Sequence, residues 1–108
     1  MLTSVIIPTF QRRELVREAV RSVLAGQEAE LEVVVVDDGS TDGTAAALAA
    51  EFGNAVQVLR TPQRGVGAAR NAGVAASCGE LVAFLDSDDL WLPGKLAAQV
   101  ALFAADPT

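Results

Sequence analysis

Six of the seven aspartates in this sequence fall in two short stretches, Asp37, Asp38 and Asp42, then Asp86, Asp88 and Asp89, while the glutamates are scattered. Carboxylates held close together repel one another, so clustering of this kind signals a site rather than a device for solubility. In Asp86-Ser87-Asp88 the first and third side chains point the same way if extended backbone continues past the preceding strand. Two converging carboxylates suit Mg2+ or Mn2+, hard cations that take the rest of their oxygen ligands from water and substrate phosphates. No Lys or Arg separates this cluster from Lys95, so its charge asks for a cation. The competing reading is an acidic loop capping a following helix, with Asp89 the most suited to it. Asp37 and Asp38 close an apolar run and face a crevice, where one can accept a hydrogen bond from a ribose hydroxyl or a base N–H. Asp42, within Gly39-Ser40-Thr41-Asp42-Gly43, reads instead as an Asx turn or helix cap.

The third polar segment, Gly65 to Gly73, has the look of a dinucleotide fingerprint, but Arg70 stands where a third glycine belongs and the segment follows a third strand, not a first. A helix N-terminus entered through glycine still suits an anion, and Arg70 one turn in can reach a diphosphate oxygen. Alternatively, Gly67 and Gly73 serve close helix packing and Arg70 is a solvated residue.

These residues need elements to position them. Ser4 to Ile7, with Leu2, predicts a first strand that Pro8 stops. From Arg13 to Leu24 the apolar residues Leu15, Val16, Ala19, Val20, Val23 and Leu24 recur at helical spacing, and Gly26 closes the helix. Leu31 to Val36 is β-branched and almost wholly apolar, as expected of a strand buried on both faces. Thr41 or Asp42 caps an Ala-rich helix running to Phe52 and stopped by Gly53. Val56 to Leu59 predicts a third strand, Gly67 to Ala76 a helix and Leu81 to Leu85 a fourth strand. Pro93 opens a last helix reaching Ala104, with Trp91 as its hydrophobic anchor. The alternation predicts an α/β fold, a Rossmann-like parallel sheet of about four strands with helices on both faces and binding loops at the carboxyl ends of strands.

Composition narrows the function. The chain of 108 residues is 51% hydrophobic, enough for one compact domain. A net charge of −6 argues against nucleic acid or an anionic membrane surface as a partner. With one cysteine and no histidine, zinc and disulfide chemistry lose support, and Cys78 reads as a small buried residue. No run has signal-peptide or membrane-helix character, so the expectation is a cytoplasmic chain, a longer form remaining open to membrane association.

Val5-Ile6-Ile7-Pro8-Thr9-Phe10, Val35-Val36-Asp37-Asp38-Gly39-Ser40-Thr41-Asp42, Gly65 to Gly73, and Phe84-Leu85-Asp86-Ser87-Asp88-Asp89 together resemble the family 2 glycosyltransferases of the GT-A fold. The resemblance covers essentially the whole chain and implies the nucleotide-sugar-binding, N-terminal half of such an enzyme, residues 1–108 forming one truncated domain. It implies that Pro8, Thr9 and Asp38 surround the base, often uracil, with Asp37 beside them and Arg70 on the nucleotide side. Asp86 and Asp88 would form the Asp-x-Asp motif, Asp86 toward the ribose and Asp88 on the Mn2+ or Mg2+ that bridges the diphosphate. Gln11 departs from the Asn common at its position, and little consequence is expected. The general base of an inverting transfer is expected beyond residue 108, so no catalytic residue is assigned and the isolated chain is expected to transfer little sugar. An uncovered sheet edge near the fourth strand predicts a homo-oligomer. Three rivals stand beside this reading. A nucleotidyltransferase would carry a Gly-rich loop after strand one, and a phospho-receiver an acidic pair there, whereas the residues present are Pro8 to Arg13. A non-catalytic binding module is the third.

Overall fold

The computed structural model describes residues 2–26, 31–79 and 81–86; the predicted last helix, Trp91, Asp88 and Asp89 lie outside the described residues. Strands β1 (Thr3–Thr9), β2 (Leu31–Asp37), β3 (Val56–Arg60) and β4 (Leu81–Phe84) alternate with helices α1 (Arg13–Gly26), α2 (Thr44–Phe52) and α3 (Val66–Ala76), and a 3-10 turn, Gly53–Ala55, leads into β3. Every pairing is parallel and the strand order is β3-β2-β1-β4. No helix among the described residues is long and apolar enough to cross a membrane.

The runs of Val and Ile that predicted doubly buried strands are packed on both faces. Val5, Ile7, Val33, Val35, Ala83 and Leu85 face α1 and α2, where Val16, Ala19, Val20, Val23 and Leu48 meet them. Ile6, Val34, Val36 and Val82 face the other way, toward Ala69 of α3. Each of the Val, Leu and Ile side chains among these contributes about 1.5–3 kcal/mol by leaving water. α3 approaches β1 and β2 closely because residue 73 is glycine: a Cβ there would stand 2.4 Å from Ile6 Cγ2 and 3.1 Å from Val36 Cγ2.

The winding explains where a ligand can enter. From β1 the chain steps outward to β2 and β3 with α1 and α2 on one face, then crosses back to lay β4 on the other side of β1, with α3 on the opposite face. The connection from β1 leads to β2 on one side while β4 lies on the other, so the strand order reverses between β1 and β4. A crevice opens there, at the carboxyl ends of the strands.

Several sequence expectations change. Pro8 does not stop β1; it lies inside the strand, in register with Val36. Ile6 O accepts from Leu85 N and Thr9 O from Asp38 N, so even-numbered residues of β1 present backbone groups to β4 and odd-numbered ones to β2. The amide Pro8 lacks would point past the end of β4, and no ladder bond is lost. Leu15 is 43% exposed, because the stripe of α1 that meets the sheet is Val16, Ala19, Val20 and Val23, and Leu15 lies on the flank of the helix beside that stripe. Helix α2 starts later than predicted, with Gly43 as its N-cap, although Asp42 Oδ1 does accept from Thr44 N at 3.2 Å. Cys78 is exposed, in the connection between α3 and β4, where its backbone amide donates to Glu32 Oε1. Gly67 faces open space and does not serve close packing, leaving that role to Gly73.

Candidate functional site

The crevice has a volume of about 430 Å³ and draws its walls from four segments. Pro8, Thr9, Phe10 and Arg12 come from the end of β1 and the loop after it, Asp38 from the end of β2, Val66, Ala69 and Arg70 from the start of α3, and Asp86 from the residues following β4. Of the residues singled out from the sequence, Pro8, Thr9, Asp38, Arg70 and Asp86 are brought together, Asp37 is not among the lining residues, and Asp88 lies outside the described residues.

Asp38 is 5% exposed and held from one side by three donors. Thr61 Oγ1 donates to its Oδ1 at 2.9 Å, the Gly65 amide to Oδ2 at 2.9 Å, and the Arg64 amide to both oxygens at 3.1 and 3.3 Å. Burial pushes its carboxyl up, but hydrogen bonds from the Arg64 and Gly65 amides and the Thr61 hydroxyl outweigh it and leave the pKa below the ordinary value. The group is therefore a fixed anion. A carboxylate has about four acceptor positions, and the Arg64 amide is shared between two of them at 3.1 and 3.3 Å, so a donor entering the crevice has only that longer, shared contact to displace. Gly65 can meet Asp38 in this way because its φ of 101° is open to glycine and rarely to other residues.

Asp37 has a different occupation. It is 1% exposed, its Oδ1 accepts the Ser40 amide at 3.0 Å, and its Oδ2 stands 3.7 Å from Arg60 Nε. Arg60 in turn donates to Ser40 O at 2.8 Å, so Asp37 fastens the loop between β2 and α2. Asp42 fastens the neighbouring loop: it accepts from the backbone amides of Arg13, at the start of α1, and Thr44, at the start of α2. Burial raises its pKa, yet hydrogen bonds from the Thr44 hydroxyl and the Arg13 and Thr44 amides leave it lowered overall.

Two groups in the crevice wall have unused capacity. Thr9 Oγ1 is buried without a hydrogen-bond partner, in a residue 4% exposed. Arg70 Nε is likewise buried and unpartnered, while its Nη2 lies 3.3 Å from Asp86 Oδ1 and its guanidinium carbon 6.0 Å from the centre of the Phe84 ring. Asp86 is 56% exposed and open to the crevice mouth. Among the described residues no three His, Cys, Asp or Glu side chains gather as a metal site. Asp86 does have the hard oxygen donors that Mg2+ or Mn2+ takes, and it is the one member of the predicted pair whose place is described.

Sequence reasoning missed Phe10, Arg12, Val66 and Ala69 as crevice residues. Phe10 and Arg12 follow from β1 running on to Thr9, which puts the next residues at the crevice rim. Val66, Ala69 and Arg70 stand at i, i+3 and i+4 on one face of α3, so the first two could have been found from helical spacing alone.

The model of the glycosyl transferase family 2 matches residues 4–108. The chain belongs to that family. An uncharacterized glycosyltransferase of Nostoc sp. is 41% identical over 106 residues, 95% of this chain and 33% of the Nostoc protein. The structure of S. aureus TarS 1-349 in complex with UDP-GlcNAc is similar at TM-score 0.78 and 37% identity, over 94% of this chain and 30% of that one. That of a mannosyltransferase from Pyrobaculum calidifontis in complex with GDP-Man and Mn2+ is similar at TM-score 0.81 and 33% identity, over 98% and 33%. The family 2 chain thus spans about a third of the length of these relatives, and its sheet is the N-terminal portion of the GT-A fold they share.

Proposed function

We propose that this chain is the donor-binding part of a glycosyltransferase that moves a sugar from a nucleoside diphosphate sugar, such as a UDP-sugar, to an acceptor hydroxyl with inversion. The observation that carries the reading is the convergence, in one crevice at the strand-order reversal, of the fixed Asp38 carboxylate, the unpartnered Thr9 hydroxyl and the Arg70–Asp86 pair. Asp38 and Thr9, beside Pro8, take the edge of the base; Phe10 and Val66 give it apolar walls. Arg70, with Nε unused, turns toward the diphosphate, and Asp86 toward the ribose. Asp37 acts from behind by holding the loop that follows Asp38. Mn2+ or Mg2+ on Asp88 and Asp86, when bound, supplies Lewis-acid stabilisation of the departing nucleoside diphosphate. The Pyrobaculum calidifontis mannosyltransferase with GDP-Man and Mn2+ and the TarS complex with UDP-GlcNAc support this choice of ligands.

No general base is assigned among the described residues, and the isolated chain is expected to bind donor without transferring sugar. The test is release of UDP from UDP-sugars offered with a panel of hydroxyl acceptors, for this chain and for any longer product of its gene, with and without a chelator. Metal-dependent turnover by the longer product alone supports the proposal; UDP binding with no turnover by any form moves the chain to the non-catalytic class. The proposed homo-oligomer keeps one support, the unpaired outer side of β4 among the described residues. A single species near 11.2 kDa by light scattering removes it.

A further inference from the structure

We propose that Gln11 is a positioning residue for the crevice, its side-chain amide clamping the Phe10–Arg12 turn to the loop between β2 and α2. Among the described residues, Gln11 alone of those that are not glycine has a positive φ, 55°. An L residue adopts that left-handed conformation only against a steric cost, so something outside the turn holds it there. Three hydrogen bonds do. The Gln11 amide donates to Ser40 Oγ at 2.7 Å, the Gln11 side chain accepts the Thr41 amide at 2.8 Å, and its Nε2 donates to Thr41 Oγ1 at 2.9 Å. Ser40 is itself 4% exposed and tied to the buried Asp37, so the clamp ends on a rigid anchor.

The consequence lies on either side of Gln11. Phe10 and Arg12 both line the crevice although Gln11 does not, and a left-handed residue between them reverses the chain so that both neighbours face one space. Gln11 therefore acts through Phe10 and Arg12 and touches no ligand. The difference from the Asn of the resembling enzymes gains a meaning: Gln carries one more methylene, the reach with which both ends of its amide engage Thr41 here.

The inference rests on the donor reading for its effect on binding, and the experiment separates the two. Amide hydrogen exchange and calorimetric titration with UDP and Mn2+ are to be compared for the wild-type chain, Gln11→Ala, Gln11→Gly and Thr41→Val. Glycine keeps the left-handed backbone and loses the clamp; Thr41→Val removes one acceptor without touching residue 11. Faster exchange at Phe10 and Arg12 with unchanged β1 and β2 amides is expected in both Gln11 variants, with UDP affinity about five- to tenfold weaker. Thr41→Val follows in the same direction to a smaller degree. Wild-type affinity in Gln11→Gly, or unchanged exchange at Phe10 and Arg12 in Gln11→Ala, overturns the clamp. A wild-type chain that does not bind UDP fails the donor reading instead, and exchange alone then decides the clamp.

Discussion

The two halves of the crevice are built differently. On the side of β2 and β3, Asp38 is buried and held by three protein donors, and Asp37 and Ser40 lock the adjoining loops. On the side of β4, Asp86 is more than half exposed and lies 3.3 Å from Arg70, while Arg70 keeps a buried Nε without a partner. The first half is preorganised and costs nothing further to order when a rigid ring enters. The second is an exposed anion and a cation in contact with each other, the half to which the proposed function assigns the diphosphate and the divalent cation. The difference teaches that carboxylates of one sequence pattern, at the ends of β2 and β4, divide between one fixed by the protein's own donors and one left exposed beside a single cation.

Substitutions at the two halves should separate stability from binding. The largest stability effect belongs to Asp38→Ala, which strands the Thr61 hydroxyl and the Arg64 and Gly65 amides; urea denaturation should read a loss of about 2–3 kcal/mol. Gly73→Ala comes next. It forces a methyl against Ile6 and Val36 and lifts α3, which carries Arg70, at a cost of about 1–3 kcal/mol with weakened UDP binding. If Gly73→Ala is neutral in both readings, α3 is not fixed to the sheet as described.

Acid titration sharpens the contrast further. Asp38 and Asp42 have pKa values lowered in the folded protein from the ordinary 3.8, so their contribution is present in full above that value. It is lost as pH falls below 3.8 through the folded values, and the urea midpoint should drop over that window with a shallower drop in Asp38→Asn. The smallest stability effect belongs to Asp86→Asn, within about 0.5 kcal/mol for an exposed pair. Its UDP affinity in Mn2+ should nonetheless fall at least about tenfold, for loss of a charged contact. A destabilisation as large as that of Asp38→Ala would mean the two halves are not distinct.

Much of this was legible in the sequence because it depends on short-range pattern. Val33 to Val36 and Ile6 to Ile7 have to be buried on both faces, and the stripe from Val16 to Val23 has to face a sheet. Strand alternation also separates Asp37 from Asp38, since Asp37 continues the parity of Val33 and Val35 toward α1 and α2, and Asp38 that of Val34 and Val36. The sequence reading left them as a pair because it stopped at their adjacency. The place of Pro8 inside β1 was not legible, because it depends on how far β4 extends alongside. Nor was the positive φ of Gln11, which depends on Ser40 and Thr41, residues 29 and 30 positions away. Cys78 was read from its residue type alone, and the loop that exposes it depends on Glu32 and Ser4 at the far end of the sheet.

The most direct test of the account is calorimetric titration of this chain with UDP, with and without Mn2+, for the wild type, Asp86→Asn and Asp88→Ala. The account predicts one site, tighter in Mn2+, with the metal-dependent gain lost in both variants while their folding is unchanged. Binding that ignores Mn2+ and both substitutions, or no binding by a folded wild-type chain, would contradict the claim that this crevice holds a nucleoside diphosphate through its two unequal halves.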